Sequence, residues 1–172
     1  MTIPPDTKDW TWVLDRPCPE CGFLAESLAM AELPREIGGW AQRWRAVLAR
    51  PEVGVRAEPT VWSPLEYGCH VRDVLRVFDE RVRLMLAEDA PSFANWDQDR
   101  TAVEERYDEQ EPARVADELT LAAAALAVTF AEVPADAWGR TGLRSNGSEF
   151  TVESIARYFA HDVVHHLHDV NG

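Results

Sequence analysis

Four stretches of the chain repeat apolar residues at the three- and four-residue spacing that gives a helix one apolar face. The first runs from about Pro34 to Arg50, with Ile37, Trp40, Trp44 and Leu48 on one side, and Pro51 ends it. The second has a strong start: Ser63 as N-cap, Pro64 at the first helical position and Glu66 three residues on, the elements of a capping box. Its apolar face then continues through Val74, Val77, Leu84 and Met85. The third covers roughly Pro112 to Val133 and contains the Ala-rich run LTLAAAALAVTF, which reads as a helix buried on most sides. The fourth runs from about Val152 to Val170, with Thr151 as a candidate cap.

No convincing run alternates apolar and polar residues, so the pattern predicts an all-α four-helix bundle. The connection from about Ala90 to Glu111 is long for a bundle and is expected to be a crossover, a functional loop or both. Before the last helix, WGRTGLRSNGSEF breaks the helical pattern, and Asn146-Gly147 is a turn signal that would close a small hairpin. Without repeats or low-complexity linkers, residues 1–172 read as a single domain, in which residues 1–33 form an arm leading into the first helix.

Charge narrows the partners. The net charge is −13 and no run of Lys or Arg is present, which argues against nucleic acid and against an anionic membrane surface. The Leu119–Phe130 run is too short to span a bilayer. The start MTIPPDTKDWTWVLDRP lacks a basic segment followed by an apolar one, so no signal peptide is expected and the cytoplasm is the expected compartment. Three Cys in that setting do not suggest a structural disulfide. An exposed apolar stripe on the first helix would permit a homodimer.

The chemistry concentrates in the last helix. Four of the five histidines lie in HDVVHHLHDV, residues His161 to Val170. Positions four apart differ by about 40° around a helix, so His161 and His165 share a face, flanked by Tyr158, Val164 and Leu167. His168 continues that stripe one turn further, beside these residues, whereas His166 points away and is expected to be solvated or supporting. On the second helix His70 is similarly placed beside Val74 and Val77. Several imidazoles turned inward without partners would be costly, and a divalent metal resolves that cost. Three neutral imidazoles, His70, His161 and His165, would hold Zn, Ni or Fe and leave a position open for water or substrate. Glu66 and Asp73 lie about one turn either side of His70 and could orient its ring, although Glu66 could instead be used up by the capping box. Arg157 is the cation expected to meet an anionic substrate, with an outward surface role as its alternative.

RPCPECGF places Cys18 and Cys21 in a CxxC. One CxxC supplies two ligands, and no second cysteine pair completes a zinc knuckle. A packed arm with two thiols is the preferred reading, with oxidation or metal uptake left open. Cys69 points about 100° away from His70 and is not expected to be a ligand.

In order, a capped helix carrying WSPLEYGCHVRD (residues 62–73), a long crossover containing NWD and a final helix with HDVVHHLHDV resemble the DinB-like superfamily over most of the chain. The RPCPECGF arm looks like an extension found in an actinobacterial branch of it. The resemblance implies a four-helix bundle with a metal held by His70, His161 and His165. Characterised relatives include transferases and isomerases that use mycothiol or bacillithiol, so the resemblance implies a metal that activates a low-molecular-weight thiol against a small electrophile. The alternatives are a metal-hydroxide hydrolase, a non-catalytic metal- or small-molecule-binding stress protein, and histidines that serve only as a structural polar core.

Overall fold

The computed structural model describes residue 3, residues 9–145 and residues 147–172. Four long helices form the expected bundle: α1 (Leu33–Leu48), α2 (Pro64–Ala87), α4 (Pro112–Ala131) and α5 (Val152–Asp169). A short α3 (Gln98–Glu104) lies in the crossover between α2 and α4. Two three-residue strands, β1 (Thr141–Leu143) and β2 (Glu149–Thr151), pair antiparallel before α5, with Gly142 opposite Phe150. Thus a hairpin stands where it was expected; of its turn signal, Asn146 lies outside the described residues and Gly147 has a left-handed φ of 88°.

The helix boundaries follow local chemistry. Ser63 and Glu66 complete the capping box of α2, the Ser63 hydroxyl accepting from the Glu66 amide at 3.3 Å and the Glu66 carboxylate from the Ser63 amide at 2.8 Å. Thr151 and Ser154 do the same for α5. Asp97 caps α3 by accepting from the Arg100 amide at 3.0 Å.

The apolar faces meet in one core containing Trp44, Leu119, Leu126, Phe159 and Leu167, all fully buried. Helices α1 and α2 approach closely at Gly68, where a Cβ would come within 2.7 Å of Leu48 Cδ2. The crossover is tied down by Tyr107, whose hydroxyl donates to Asp73 Oδ2 at 2.6 Å, while Arg72 bonds Asp73, Gln110 and Glu118. The arm packs outside the bundle, its two 3-10 turns (Thr11–Leu14 and Ala25–Ser27) lying against α5. Among the described residues no helix is long and apolar enough to cross a membrane.

Candidate metal centres

Helix α5 presents two adjacent polar stripes rather than one. The stripe of Asp162 and His166 faces α2, where His70 meets it, and the ligating atoms of these three side chains lie within 4.8 Å of one another. His70 is fully buried, and neither of its ring nitrogens has a hydrogen-bond partner. Its Nε2 is 3.3 Å from Asp162 Oδ1, itself buried and without a hydrogen bond, so the contact is close but unsuited to a shared proton. His166 Nε2 lies 3.7 Å from the same oxygen, and its Nδ1 is 2.8 Å from Asp169 Oδ2, a carboxylate that orients the ring. Two indoles enclose the His70 ring: Trp96 stacks on it at 5.6 Å and 9°, and Trp62 packs against it at 5.3 Å.

Leaving three such polar atoms unsatisfied inside a protein is expensive. A divalent cation satisfies His70 Nε2 and Asp162 Oδ1 together. In a tetrahedral zinc shell the nitrogen–oxygen edge is about 3.3 Å, the separation seen between His70 and Asp162. Two imidazoles and one carboxylate are also a donor set for nickel and iron. Burial opposes ionisation of Asp162, but contact with His70, His166 and His161 outweighs it and holds the carboxyl low, so it is anionic at neutral pH.

The second stripe, His161 and His165, turns toward the arm. There the ligating atoms of His161, His165, Cys18 and Cys21 lie within 4.8 Å of one another. Burial pushes the His161 imidazole down to about 4, with repulsion from His165 adding to it, and burial also lowers His165. Both rings are therefore neutral at pH 7. Burial likewise pushes the Cys21 thiol up to about 11, against a hydrogen bond from the Phe23 amide.

A cavity of about 670 Å³ opens beside both stripes. Trp10, Trp96, Tyr67 and Tyr158 wall it, the whole segment Asn95–Asp99 forms its rim, and Arg100 and Arg144 supply its cations. Asp162, His166, His161 and His165 all reach it, and among the described residues its lining includes no Ser, Thr, Cys or Lys.

Comparison with known proteins agrees with this architecture. The family model described as the DinB superfamily matches residues 49–170. The chain belongs to the DinB superfamily. A solved structure, YfiT from Bacillus subtilis, is similar to it with a TM-score of 0.68 and 14% identity, covering 84% of this chain and 83% of that one. YfiT is described as a probable metal-dependent hydrolase with an unusual four-helix bundle topology. Comparison with curated proteins finds no match.

Within this DinB protein, the set implied by the resemblance is divided: His70 sits with Asp162 and His166, and His161 with His165 and the two cysteines. His166, expected to point away, is instead the residue facing His70, their rings 4.9 Å apart. The physical reason is a rotation of about 100°, one residue along α5, which sequence periodicity alone does not resolve. Arg157 does not reach the cavity; its guanidinium donates to the Ala25 carbonyl and to Glu153 at 2.8 Å, fastening the arm to α5. Glu66 is consumed by its capping box and by Arg56. Asp73 is held by Arg72, Arg76 and Tyr107, so neither carboxylate orients His70. His168 is half-exposed, 6.4 Å from the His165 ring. Asp162, His166, Arg100 and Arg144 were missed; the DxxxH spacing of Asp162 and His166 was the available signal for the first two.

Proposed function

We propose that this DinB protein is a metal-dependent enzyme that delivers an external nucleophile, water or a low-molecular-weight thiol, to a small electrophilic substrate. The observation that carries this reading is the buried, unsatisfied pair of His70 Nε2 and Asp162 Oδ1 beside a cavity whose lining, among the described residues, contains no serine, threonine, cysteine or lysine. His70, Asp162 and His166 would hold a divalent zinc, nickel or iron ion. When bound, such a cation supplies Lewis acidity, polarising a substrate oxygen or lowering the pKa of a water or thiol.

The chain's own residues do the rest. Trp62 and Trp96 fix the His70 ring and keep bulk water from it. Asp169 fixes His166 through its Nδ1, directing Nε2 toward Asp162. Arg100 and Arg144 sit where they would bind an anionic group on the substrate, and the aromatic wall would take its apolar part. Hydrolysis gains support from YfiT, and thiol transfer from the family resemblance; both place the same demand on this centre.

The test is a turnover screen of the metal-loaded protein in two arms. One arm offers ester, amide and lactone probes with water alone; the other offers haloalkyl and enedione electrophiles with mycothiol, bacillithiol or glutathione. Turnover in either arm that His70→Ala and Asp162→Asn abolish in folded protein supports the reading and names the nucleophile. Tight binding of a small molecule with turnover in neither arm would instead make this a non-catalytic binding protein.

A further inference from the structure

The arm closes a corner that the DinB family match does not contain. Cys18 and Cys21 precede residue 49, where that match begins, yet they meet His161 and His165 of α5. Local backbone shapes this corner. The Cys18 amide donates to the Phe23 carbonyl at 2.9 Å and the Gly22 amide to the Cys18 carbonyl at 2.9 Å, folding CPECGF into a tight turn. Gly22 adopts a left-handed φ of 74°, which lets the turn reverse immediately after the second cysteine. Both sulfurs are free thiols, Cys18 is 1% exposed, and His161 and His165 are 4% and 7% exposed.

We infer that Cys18, Cys21, His161 and His165 form a closed, tetrahedral zinc site that staples the arm to α5, distinct from the open centre at His70. Three observations carry this. The four ligating atoms converge within 4.8 Å, from two pairs at CxxC and HxxxH spacing on facing elements. Cys18 Sγ lies 3.7 Å from His165 Nδ1, and the sulfur–nitrogen edge of a tetrahedral zinc shell is about 3.6 Å. Independently, His161 Nε2 is buried with no hydrogen-bond partner, a lone pair or N–H left facing the protein interior.

Charge favours the same occupant. On binding, the two thiols release their protons to solvent, and two thiolates neutralise the divalent cation while the imidazoles remain neutral. A site of zero net charge is the kind a buried corner tolerates. Four protein ligands leave no position for substrate, so the site is structural. Its shell is aromatic: Trp10 packs on His161 at 5.6 Å and on His165 at 5.2 Å, and Phe23 meets His161 edge-on at 5.7 Å. Through this staple the arm carries Trp10 and Glu20 into the cavity wall, so the site shapes the substrate pocket without touching the chemistry.

The test uses the full chain loaded separately with zinc and with cobalt(II). Wild type is expected to bind two equivalents of zinc, and Cys21→Ser and Cys18→Ser one equivalent each, while His70→Ala retains the staple. The cobalt form of wild type and of His70→Ala is expected to show thiolate-to-metal charge transfer in the near ultraviolet with tetrahedral visible bands, lost in both cysteine variants. Should a cysteine variant misfold, titrating folded wild type with a mercurial thiol reagent gives the same readout, one zinc released per two thiols blocked. A cobalt form without thiolate charge transfer, or zinc content that the cysteine variants and the mercurial leave unchanged, would overturn the staple. Neither result bears on the His70 centre, which His70→Ala reports separately.

Discussion

The two stripes of α5 are one residue out of phase, and they are built for opposite ends. Asp162 and His166 meet a single histidine from α2 and look out into a cavity, giving three donors and room for a fourth from outside. His161 and His165 meet two cysteines from an arm packed against them, giving four donors from the chain itself. Hard and borderline donors with an open position suit chemistry; thiolates in a closed shell suit scaffolding. A helix can serve both because a step of one residue turns the side chain by about 100°, enough to address a different neighbour. The comparison also explains why Arg157 does not reach the cavity: on the arm side of α5, its half-buried guanidinium is a fastener for the Ala25 carbonyl.

The sharpest way to break the comparison is to remove the carboxylate of the open centre. Asp162→Asn is expected to lower turnover by at least about 100-fold, since even residues that only orient metal ligands are worth about 10–100-fold. Its metal content should fall while the cobalt–thiolate band at the cysteine corner persists. If that band disappears as well, the two stripes are one site and the division is wrong.

The next contrast sets both centres against the bundle core. Trp44 is fully buried between the helices and distant in role from either stripe. Trp44→Ala is expected to destabilise the fold by about 3–5 kcal/mol, measured by urea unfolding, with the zinc content of the surviving folded protein unchanged.

A third test concerns how α2 holds the crossover that brings Trp96 to His70. Burial alone would raise the Asp73 carboxyl, but hydrogen bonds from Arg72 and Tyr107 outweigh it and hold it below its ordinary 3.8. A depressed acid contributes stability that is present above 3.8 and lost as pH falls through the lower, folded value. Asp73→Asn should therefore be less stable than wild type near neutrality, and the two unfolding free energies should converge below about pH 4. A difference that persists in strong acid would mean that packing, not the carboxylate charge, ties the crossover down.

The smallest effect is expected at the start of α5, which carries both stripes. Removing the Thr151 cap as Thr151→Ala should cost about 1 kcal/mol and leave the ratio of the two metal occupancies unchanged, because the cap lies several turns from both. Thermal unfolding with metal analysis on the same samples checks it.

Much of this was legible along the chain. The Ser63-Pro64-Glu66 start of α2 and the Thr151 start of α5 were readable because caps are written within three or four residues. The four helices were readable because each buries one apolar face at a regular period, and the long crossover because nothing in Ala90–Glu111 sustains that period. The role of Trp96 as the plate over His70 was not readable, since that contact joins residues far apart in the chain. The cysteine pair looked incomplete for want of a second pair, and its partners at His165 lie 147 positions away.

By itself, the sequence determined where helices begin and end, that a bundle would form, and that imidazoles would crowd one end of α5 beside a lone histidine of α2. Tertiary structure alone decided which imidazole meets which partner. Periodicity fixes the angle between two side chains on one helix but not the direction in which the helix is turned, and a turn of about 100° exchanges His161 and His165 for Asp162 and His166 in front of His70. That turn is set by the whole core packing at once, and by an arm whose docking on α5 depends on contacts no local pattern encodes.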